Sequence, residues 1–218
     1  AELRDIRAEF VAAAKRAVEA GFDGIEVHAA NGYLLHEFVD PLVNNRDDEY
    51  GGSPANRARF PAEVTAAIND ATPEKFVIGV RTSQTAVVDE QRVWPDGEST
   101  ATALFSALSE AGADYIHVTG GDATAGEVPD TEQTLAELAV QYSDAPVAVI
   151  ANGGLGDPTK ARTALERGAD LLTLGTSALA NHDWPHRVKT GEPLADLDPS
   201  IIFEPDASLS DAEIPGDD

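Results

Sequence analysis

The sequence predicts a parallel α/β fold, and two features of the chain support this prediction. Short apolar segments alternate with amphipathic helical segments along most of the 218 residues. Three apolar segments share one motif, in which a helix end, a glycine and an aspartate precede the strand: "AGFDGIEVH", "AGADYIHVTG" and "RGADLLTLG". Alternating strands and helices are typical of a parallel sheet covered by helices. An open doubly wound sheet and part of a (β/α)8 barrel both fit this order.

The first predicted element is a helix, and five strands follow it. The apolar residues of this helix recur at steps of three and four and therefore lie on one face: Leu3, Ile6, Phe10, Ala13 and Ala17. Besides the three motif strands, two strands are predicted within "KFVIGVRTS", from Lys75, and "APVAVIANGG", from Ala145. The glycine of the motif supplies the left-handed residue that commonly follows a helix.

Capping residues and prolines predict the helices between the strands. Ser53–Pro54 and Asp157–Pro158 each place a capping side chain before a proline, which indicates a helix start. One of the pair Ser99–Thr100 is expected to cap the helix that contains "LFSAL". A weaker helix is predicted from about Thr131 to Tyr142. Pro61 is expected to kink its helix, because proline removes a backbone donor.

The composition is that of an ordinary soluble protein with a strong negative charge. Hydrophobic residues make up 42% of the chain, charged residues 25%, and the net charge is −24. This charge disfavours nucleic acid and anionic membranes as partners, and no apolar run approaches the roughly 20 residues of a membrane span. The lack of cysteine excludes disulfides, thiolate metal sites and iron–sulfur clusters. We expect a cytoplasmic protein, either from a salt-accumulating microbe or simply an acidic bacterial one.

The chain is predicted to contain one domain, residues 1–190, and an acidic C-terminal tail, residues 191–218. The tail is rich in Pro and Asp and ends in "DAEIPGDD", so we expect it to wrap the surface or to be disordered. The sequence lacks methionine, and its first residues resemble the interior of a helix. We therefore expect a processed or cropped piece, or a start that lies upstream.

Polar and glycine-rich residues follow the predicted strands. In both α/β architectures the active site lies at the carboxyl ends of the strands. Those ends carry an imidazole, a guanidinium and three small or glycine-rich turns: His28, Arg81, Thr119–Gly121, Asn152–Gly154 and Gly175–Ser177. Glycine turns let backbone amides approach a phosphate. These residues predict a barrel that holds a phosphorylated ligand, with His28, Asn31 and Tyr33 on one rim beside Arg81.

The stretch "GFDGIEVHAANGYLLHEFVDPLVNNRDDEYGGSPANRARF" resembles the Old Yellow Enzyme family, the FMN-dependent NADH:flavin oxidoreductases that are also called ene-reductases. The resemblance continues through "GVRTS", "ADYIHVTGG" and "VIANGG". It implies an α/β fold of the (β/α)8 TIM-barrel type. Only the part from the helix before strand 4 to strand 8 and its following helix is then present. Such an incomplete barrel has two open sheet edges, so we expect a homo-oligomer or dependence on a missing segment.

The resemblance also implies roles for individual residues. His28 and Asn31 match a pair that hydrogen-bonds the carbonyl oxygen of an α,β-unsaturated substrate, and Tyr33 matches a tyrosine that protonates its α-carbon. Arg81 matches an arginine near N1 and O2 of the flavin. The implied cofactor is FMN, the implied reductant is NAD(P)H, and the implied substrate is a small activated alkene.

The phosphate end of the implied site departs from the family pattern. Asn152, Gly153 and Gly154 match the phosphate-binding turn after strand seven. After strand eight, however, this chain has Gly175 and Thr176, where the family usually has Gly-Arg. A degenerate or truncated homologue without flavin binding or catalysis is therefore the alternative. An isomerase or aldolase is disfavoured, because the strand ends above carry no lysine and no paired carboxylates.

Two further groups of polar residues are predicted to be structural. His182, Asp183 and His186 are interpreted as a solvated helical turn, and no metal site is predicted, because two histidines four residues apart are insufficient by themselves. The segment "NNRDDEYGGS" is interpreted as a long loop. Its Arg46 and the nearby Arg57 are expected to pair with local carboxylates.

Overall fold

Five parallel strands with helices between them form the fold. The structure is a computed structural model that describes residues 2–86, 93–126 and 128–198. The strands are β1 Gly24–Asn31, β2 Val77–Ala86, β3 Tyr115–Thr119, β4 Ala148–Asn152 and β5 Leu171–Thr173. The helices are α1 Glu2–Glu19, α2 Leu34–Val39, α3 Pro54–Ala71, α4 Glu98–Glu110, α5 Leu135–Tyr142, α6 Pro158–Glu166, α7 Thr176–Ala180 and α8 Trp184–Thr190. Most of the predicted tail, residues 199–218, lies outside the described residues.

The strand order distinguishes between the two architectures that the sequence left open. The strands pair in parallel in the order β1-β2-β3-β4-β5, so each neighbour in the sheet is also the next strand in the chain. A doubly wound sheet reverses its order at a switch point, whereas a (β/α)8 barrel adds each strand beside the previous one. The sheet therefore consists of consecutive units of the barrel type. No helix among the described residues is long and apolar enough to cross a membrane.

The glycine–aspartate motif joins each new strand to its neighbour. Gly112 has a φ of +86°, which lets the chain leave α4. The Asp114 carboxylate then accepts a hydrogen bond of 2.7 Å from the backbone N–H of Ile78 in β2. Asp170 repeats the contact with the N–H of Val149 in β4, at 2.8 Å. In these two copies the motif therefore combines a helix stop with a side-chain bond that fixes the start of the strand. In the first copy, Asp23 instead accepts through its backbone carbonyl oxygen from the Val77 N–H, at 2.9 Å.

Two predicted helix starts are confirmed and one is wrong. Ser53 accepts a bond from an amide in the first turn of α3, and Asp157 does so for α6. The residue that precedes α4 is Gly97, so neither Ser99 nor Thr100 is its cap. The Thr100 hydroxyl instead accepts a hydrogen bond from a buried arginine of α3.

The start of one helix also differs from the expectation. The helix α5 begins at Leu135 instead of near residue 131, because Thr134 and Glu137 form a reciprocal capping box there. The helix α3 contains Pro61 in its interior, as expected, and the kink at this proline stays a prediction.

The hydrophobic core lies between the helices and one face of the sheet. The opposite face, called the inner face below, carries polar side chains. Apolar strand residues such as Ile78, Val80 and Ile116 are fully buried against α3 and α4. Because side chains alternate along a strand, the residues between them point to the other face. Register pairs His28 with Arg81, and Arg81 with His117, across β1, β2 and β3. The packing of the helices thus places a row of polar side chains on the inner face.

Candidate functional site

A chain of hydrogen bonds, centred on the buried His117, crosses the face of the sheet that lies opposite the helices. Glu26 Oε2 lies 2.8 Å from His117 Nδ1, and His117 Nε2 lies 2.8 Å from Thr173 Oγ1. The Tyr115 hydroxyl also bonds Glu26. Its ring covers Gly79, where a Cβ would lie 1.9 Å from a ring atom. These hydrogen bonds therefore fix β1, β3 and β5 relative to one another beneath the predicted site.

The sequence analysis did not predict these hydrogen bonds, although one residue pointed to them. Glu26 is a carboxylate within an otherwise apolar strand segment, two residues before His28. A carboxylate in an apolar strand predicts a polar partner, because an unpaired charge is costly to bury, although Glu26 remains partly exposed in the structure. The identity of that partner, His117, could not be read from sequence, because it lies 91 residues away.

The surroundings set the protonation of these groups. Burial alone would raise the pKa of Glu26, but His117, Tyr115 and Arg81 outweigh it and lower that pKa below its ordinary value. Burial, and then the charge of Arg81, lower the pKa of His28 against the opposing effect of Glu26. Burial and Glu26 raise the pKa of Tyr115 to about 12. At neutral pH His28 is therefore a neutral imidazole, able to donate one N–H.

Asn31 and Tyr33 lie on a tight turn at the end of β1. The Tyr33 N–H donates to the carbonyl oxygen of Ala30 at 3.1 Å. Both central residues have positive φ, +62° for Asn31 and +86° for Gly32. A type I′ turn requires this combination, and Asn-Gly is the pair that best tolerates it. The turn brings the Tyr33 ring to 5.0 Å from the His28 ring, between centroids.

Two buried side chains hold this turn in place. The Asn31 N–H donates to Ser83 Oγ at 2.7 Å, and the Ser83 hydroxyl donates to the Thr85 carbonyl oxygen at 2.7 Å. The Gly32 N–H donates to His36 Nδ1 at 3.0 Å. Ser83 and His36 are both buried. The left-handed conformation of Asn31 is thus fixed by tertiary contacts that sequence reasoning did not identify.

Arg81 lies beside His28 in the middle of β2. The expectation that it stands at a strand end is wrong, because β2 continues to Ala86, which pairs with Asn31 across an irregularity in the register. Its Nη2 donates to Asn152 Oδ1 at 3.4 Å. Its Nε is buried and has no hydrogen-bond partner among the described residues. A buried donor without a partner fits an acceptor supplied by a ligand, such as the flavin ring.

The remaining predicted residues surround a cavity of about 270 Å³. Asn152, Gly153 and Gly154 form one wall, and Gly175 and Thr176 form part of the other. A Cβ on Gly175 would meet no atom within 4 Å, so this wall is open toward the cavity. The cavity is lined by backbone and small side chains, which fits the phosphate end of FMN.

The glycine turn in the cavity wall leaves no room for a side chain at Gly153. Gly153 has a φ of +132°, and a Cβ there would lie 2.4 Å from the Gly120 carbonyl oxygen. Asn152 accepts a bond from the Thr119 hydroxyl at 2.7 Å and donates to the Thr173 carbonyl oxygen at 3.0 Å. Asn152 therefore connects Arg81 to the cavity. The residues predicted to bind the flavin ring and those predicted to bind its phosphate thus lie side by side.

The long loop after α2 is structural, but one predicted pairing is wrong. Arg46 does pair with its local carboxylate, Asp48. Arg57, in contrast, is buried and reaches Asp96, 39 residues along the chain, at 2.6 Å. The exposed residues His182 and His186 lie on either side of the start of α8. Within 2–86, 93–126 and 128–198, no group of three or more potential metal ligands converges.

Comparisons with known proteins identify the family of this chain. A model of the family described as NADH:flavin oxidoreductase / NADH oxidase matches residues 1–195. The NADH:fumarate oxidoreductase of Klebsiella pneumoniae is 34% identical over 202 residues, which cover 88% of this chain and 21% of that protein. The probable NADH-dependent flavin oxidoreductase YqiG of Bacillus subtilis is 33% identical over 197 residues, which cover 87% of this chain and 52% of that protein.

Two solved structures share this fold. Morphinone reductase in complex with tetrahydroNAD superposes with a TM-score of 0.73 at 33% identity, covering 91% of this chain and 52% of that one. The old yellow enzyme homologue from Zymomonas mobilis gives a TM-score of 0.76 at 26% identity, covering 97% and 57%. This chain thus spans about half the length of these solved chains, as part of a (β/α)8 TIM-barrel fold.

The family match and the structural neighbours imply FMN as cofactor, with NADH or NADPH as reductant. The match covers nearly all of the sequence and includes every residue of the candidate site. The chain therefore belongs to the NADH:flavin oxidoreductase / NADH oxidase family.

Proposed function

We propose that this chain carries the substrate-binding and flavin-binding residues of an FMN-dependent ene-reductase. When bound, FMN would transfer a hydride, obtained from NADH or NADPH, to the C=C bond of an α,β-unsaturated carbonyl compound. The observation that carries the proposal is the arrangement of His28, Asn31 and Tyr33 beside Arg81 and the glycine-lined cavity. The whole protein's substrate and partners are part of the same proposal.

His28 and Asn31 are proposed to polarise the substrate carbonyl. The neutral imidazole and the side-chain amide each offer an N–H donor, and the left-handed turn fixes the backbone of Asn31. Donors that are fixed before the reaction stabilise the negative charge that develops on an enolate oxygen. By analogy with oxyanion holes, each donor contributes about 3–4 kcal/mol to transition-state stabilisation. Arg81, one strand away, adds a positive charge to the same region.

Tyr33 is proposed to supply the proton for the substrate α-carbon. Its ring contacts His28, and 61% of the residue is exposed on the inner rim. A phenol in that position can hold a proton and deliver it to a substrate placed against His28, which is general acid catalysis.

Arg81 and the cavity are proposed to hold the cofactor. The Arg81 Nε, which has no partner among the described residues, would donate to the N1 and O2 edge of the flavin ring. The backbone amides of Gly153, Gly154 and Gly175, with the Thr176 hydroxyl, are the groups for the phosphate. Asn152 joins the two ends through its bond with Arg81.

A second candidate function is a homologue that does not hold flavin. One observation favours it: Thr176 is exposed and uncharged, and the cavity wall carries no charged side chain among the described residues. In that case the polar residues of the inner face would be retained from the family's fold without binding a cofactor.

The two half-reactions test the proposed function. The chain, loaded with FMN under anaerobic conditions, is expected to lose its visible colour on addition of NADH or NADPH. 2-Cyclohexenone should then restore the colour and yield cyclohexanone, because only the unsaturated ketone can accept the hydride. Cyclohexanone itself is the matched control and should restore nothing. Colour that returns with oxygen but not with any enone would contradict the ene-reductase assignment.

A further inference from the structure

The cavity at the glycine turns contains too little positive charge for the ligand proposed there. Its walls run from Gly120 to Ser177 and consist of backbone, apolar and small polar groups. A phosphate monoester carries roughly two negative charges near neutral pH. The protein has a net charge of −24, which repels such an anion. A cation close to the cavity would therefore contribute strongly to binding.

Lys160 is a cation at this end of the cavity. It lies in the first turn of α6, which follows the glycine turn. Its Nζ is 4.0 Å from the position that a Cβ on Gly154 would occupy, and Gly154 lines the cavity. Arg81 lies at the other end, beside Asn152. Arg167 is occupied by two backbone carbonyls and Glu137.

Lys160 now forms an ion pair with Asp122, and this pair can be broken at small cost. Its Nζ lies 2.7 Å from Asp122 Oδ2, and both side chains are partly exposed. The other oxygen of Asp122 accepts bonds from the Thr124 N–H at 3.0 Å and the Thr124 hydroxyl at 2.6 Å. These bonds hold Asp122 in place when the lysine moves. Because exposed ion pairs contribute little, the ammonium can exchange a carboxylate for a dianion at small cost.

We infer that Lys160 supplies the counter-charge for the phosphate of the flavin nucleotide, by moving from Asp122 to the ligand. This inference rests on the proposed function and adds a binding residue to its phosphate end. The positive charge that faces the phosphate then comes from Lys160 in α6, while Thr176 after β5 contributes only a hydroxyl. A lysine suits this role because a flexible stem delivers a point charge to a phosphate without fixed geometry.

A comparison of FMN affinity with riboflavin affinity isolates the contribution of the phosphate from that of the flavin ring. The two ligands differ only in the phosphate, so their dissociation constants are measured by fluorescence titration at low ionic strength. Lys160→Gln is expected to raise the constant for FMN about tenfold and to leave riboflavin unchanged, because a point charge near the phosphate is lost. Lys160→Arg is expected to retain the preference for FMN. Asp122→Asn should tighten FMN binding, because the competing carboxylate is gone.

The controls distinguish this inference from the function on which it rests. Lys189→Gln, an exposed lysine of α8, removes the same charge elsewhere and should leave both constants unchanged. Circular dichroism verifies that each variant is folded. If Lys160→Gln binds FMN as tightly as the parent chain, or loses riboflavin equally, the inference is overturned while the flavin site stands. A parent chain that binds neither flavin contradicts the proposed function itself, and the inference with it.

Discussion

His28→Ala is expected to lower the rate of enone reduction by about 10²–10³-fold, the loss typical of one oxyanion-hole donor. The variant removes an N–H donor that stabilises charge on the substrate oxygen, but none of the residues proposed to hold the phosphate. FMN affinity should therefore change by less than about threefold, or under 1 kcal/mol. Binding of a phenol, which places an oxygen where the enone carbonyl would lie, should weaken about 10–100-fold, since one charge-assisted hydrogen bond is lost.

The measurement compares the dissociation constants of 4-hydroxybenzaldehyde and FMN in the same variant. The phenol is followed through its perturbation of the flavin absorbance, and FMN through fluorescence. His186→Ala replaces an exposed histidine of α8 and is the matched control, for which neither constant should change. Equal losses of phenol and FMN affinity would contradict the assigned role, because they would indicate a general collapse of the inner face.

Arg57→Met is expected to lower the free energy of unfolding by about 2–4 kcal/mol, because the hydrogen bonds of a buried guanidinium to several partners are lost together. The arginine side chain is 2% exposed. Its guanidinium donates to the carbonyl oxygens of Val39 and Gly52, to Asp96 at 2.6 Å and to Thr100 at 2.8 Å. It therefore ties α2, the long loop, α3 and α4 together in one cluster. Methionine fills similar volume but offers no donor.

Urea unfolding followed by circular dichroism measures this effect. Arg59→Met is the matched control, since Arg59 lies two residues away and is exposed. Among the residues that the structure describes, it bonds the Glu49 carbonyl oxygen and Asn56. Its expected cost is below about 1 kcal/mol. If the two variants unfold at the same urea concentration, the cluster around Arg57 does not hold the loop as described.

Local sequence signals predicted most of the fold. The apolar strands, the glycine–aspartate motif and two of the helix starts depend on neighbouring residues, and these predictions are confirmed. The start of α4 was missed because Gly97 ends the preceding turn at a positive φ, so the helix begins before the conventional cap residues. The parallel order of the strands followed from alternation, whereas the choice of a barrel over a doubly wound sheet required the sheet itself.

The candidate site was only partly predictable, because its supporting contacts join distant segments. The strand-end rule found the glycine turns, and the Asn31–Gly32 pair is a local turn signal. His28, like Arg81, lies within its strand, three residues before the end of β1. The partners that fix them are 52 residues away for Asn31 and Ser83, and 91 residues away for Glu26 and His117. Long-range pairs of this kind leave no periodic pattern in the sequence. The same reason hid the contact between Arg57 and Asp96.

Retention of FMN by this chain can be measured with a visible absorbance scan. The purified chain is mixed with excess FMN, desalted and scanned, and is then titrated with 4-hydroxybenzaldehyde. We expect flavin absorbance to remain with the protein and to shift when the phenol binds, since the polar side chains of the sheet and the cavity act together. A folded but colourless protein would show that this chain does not hold FMN, and that His28, Asn31 and Arg81 are present without the cofactor.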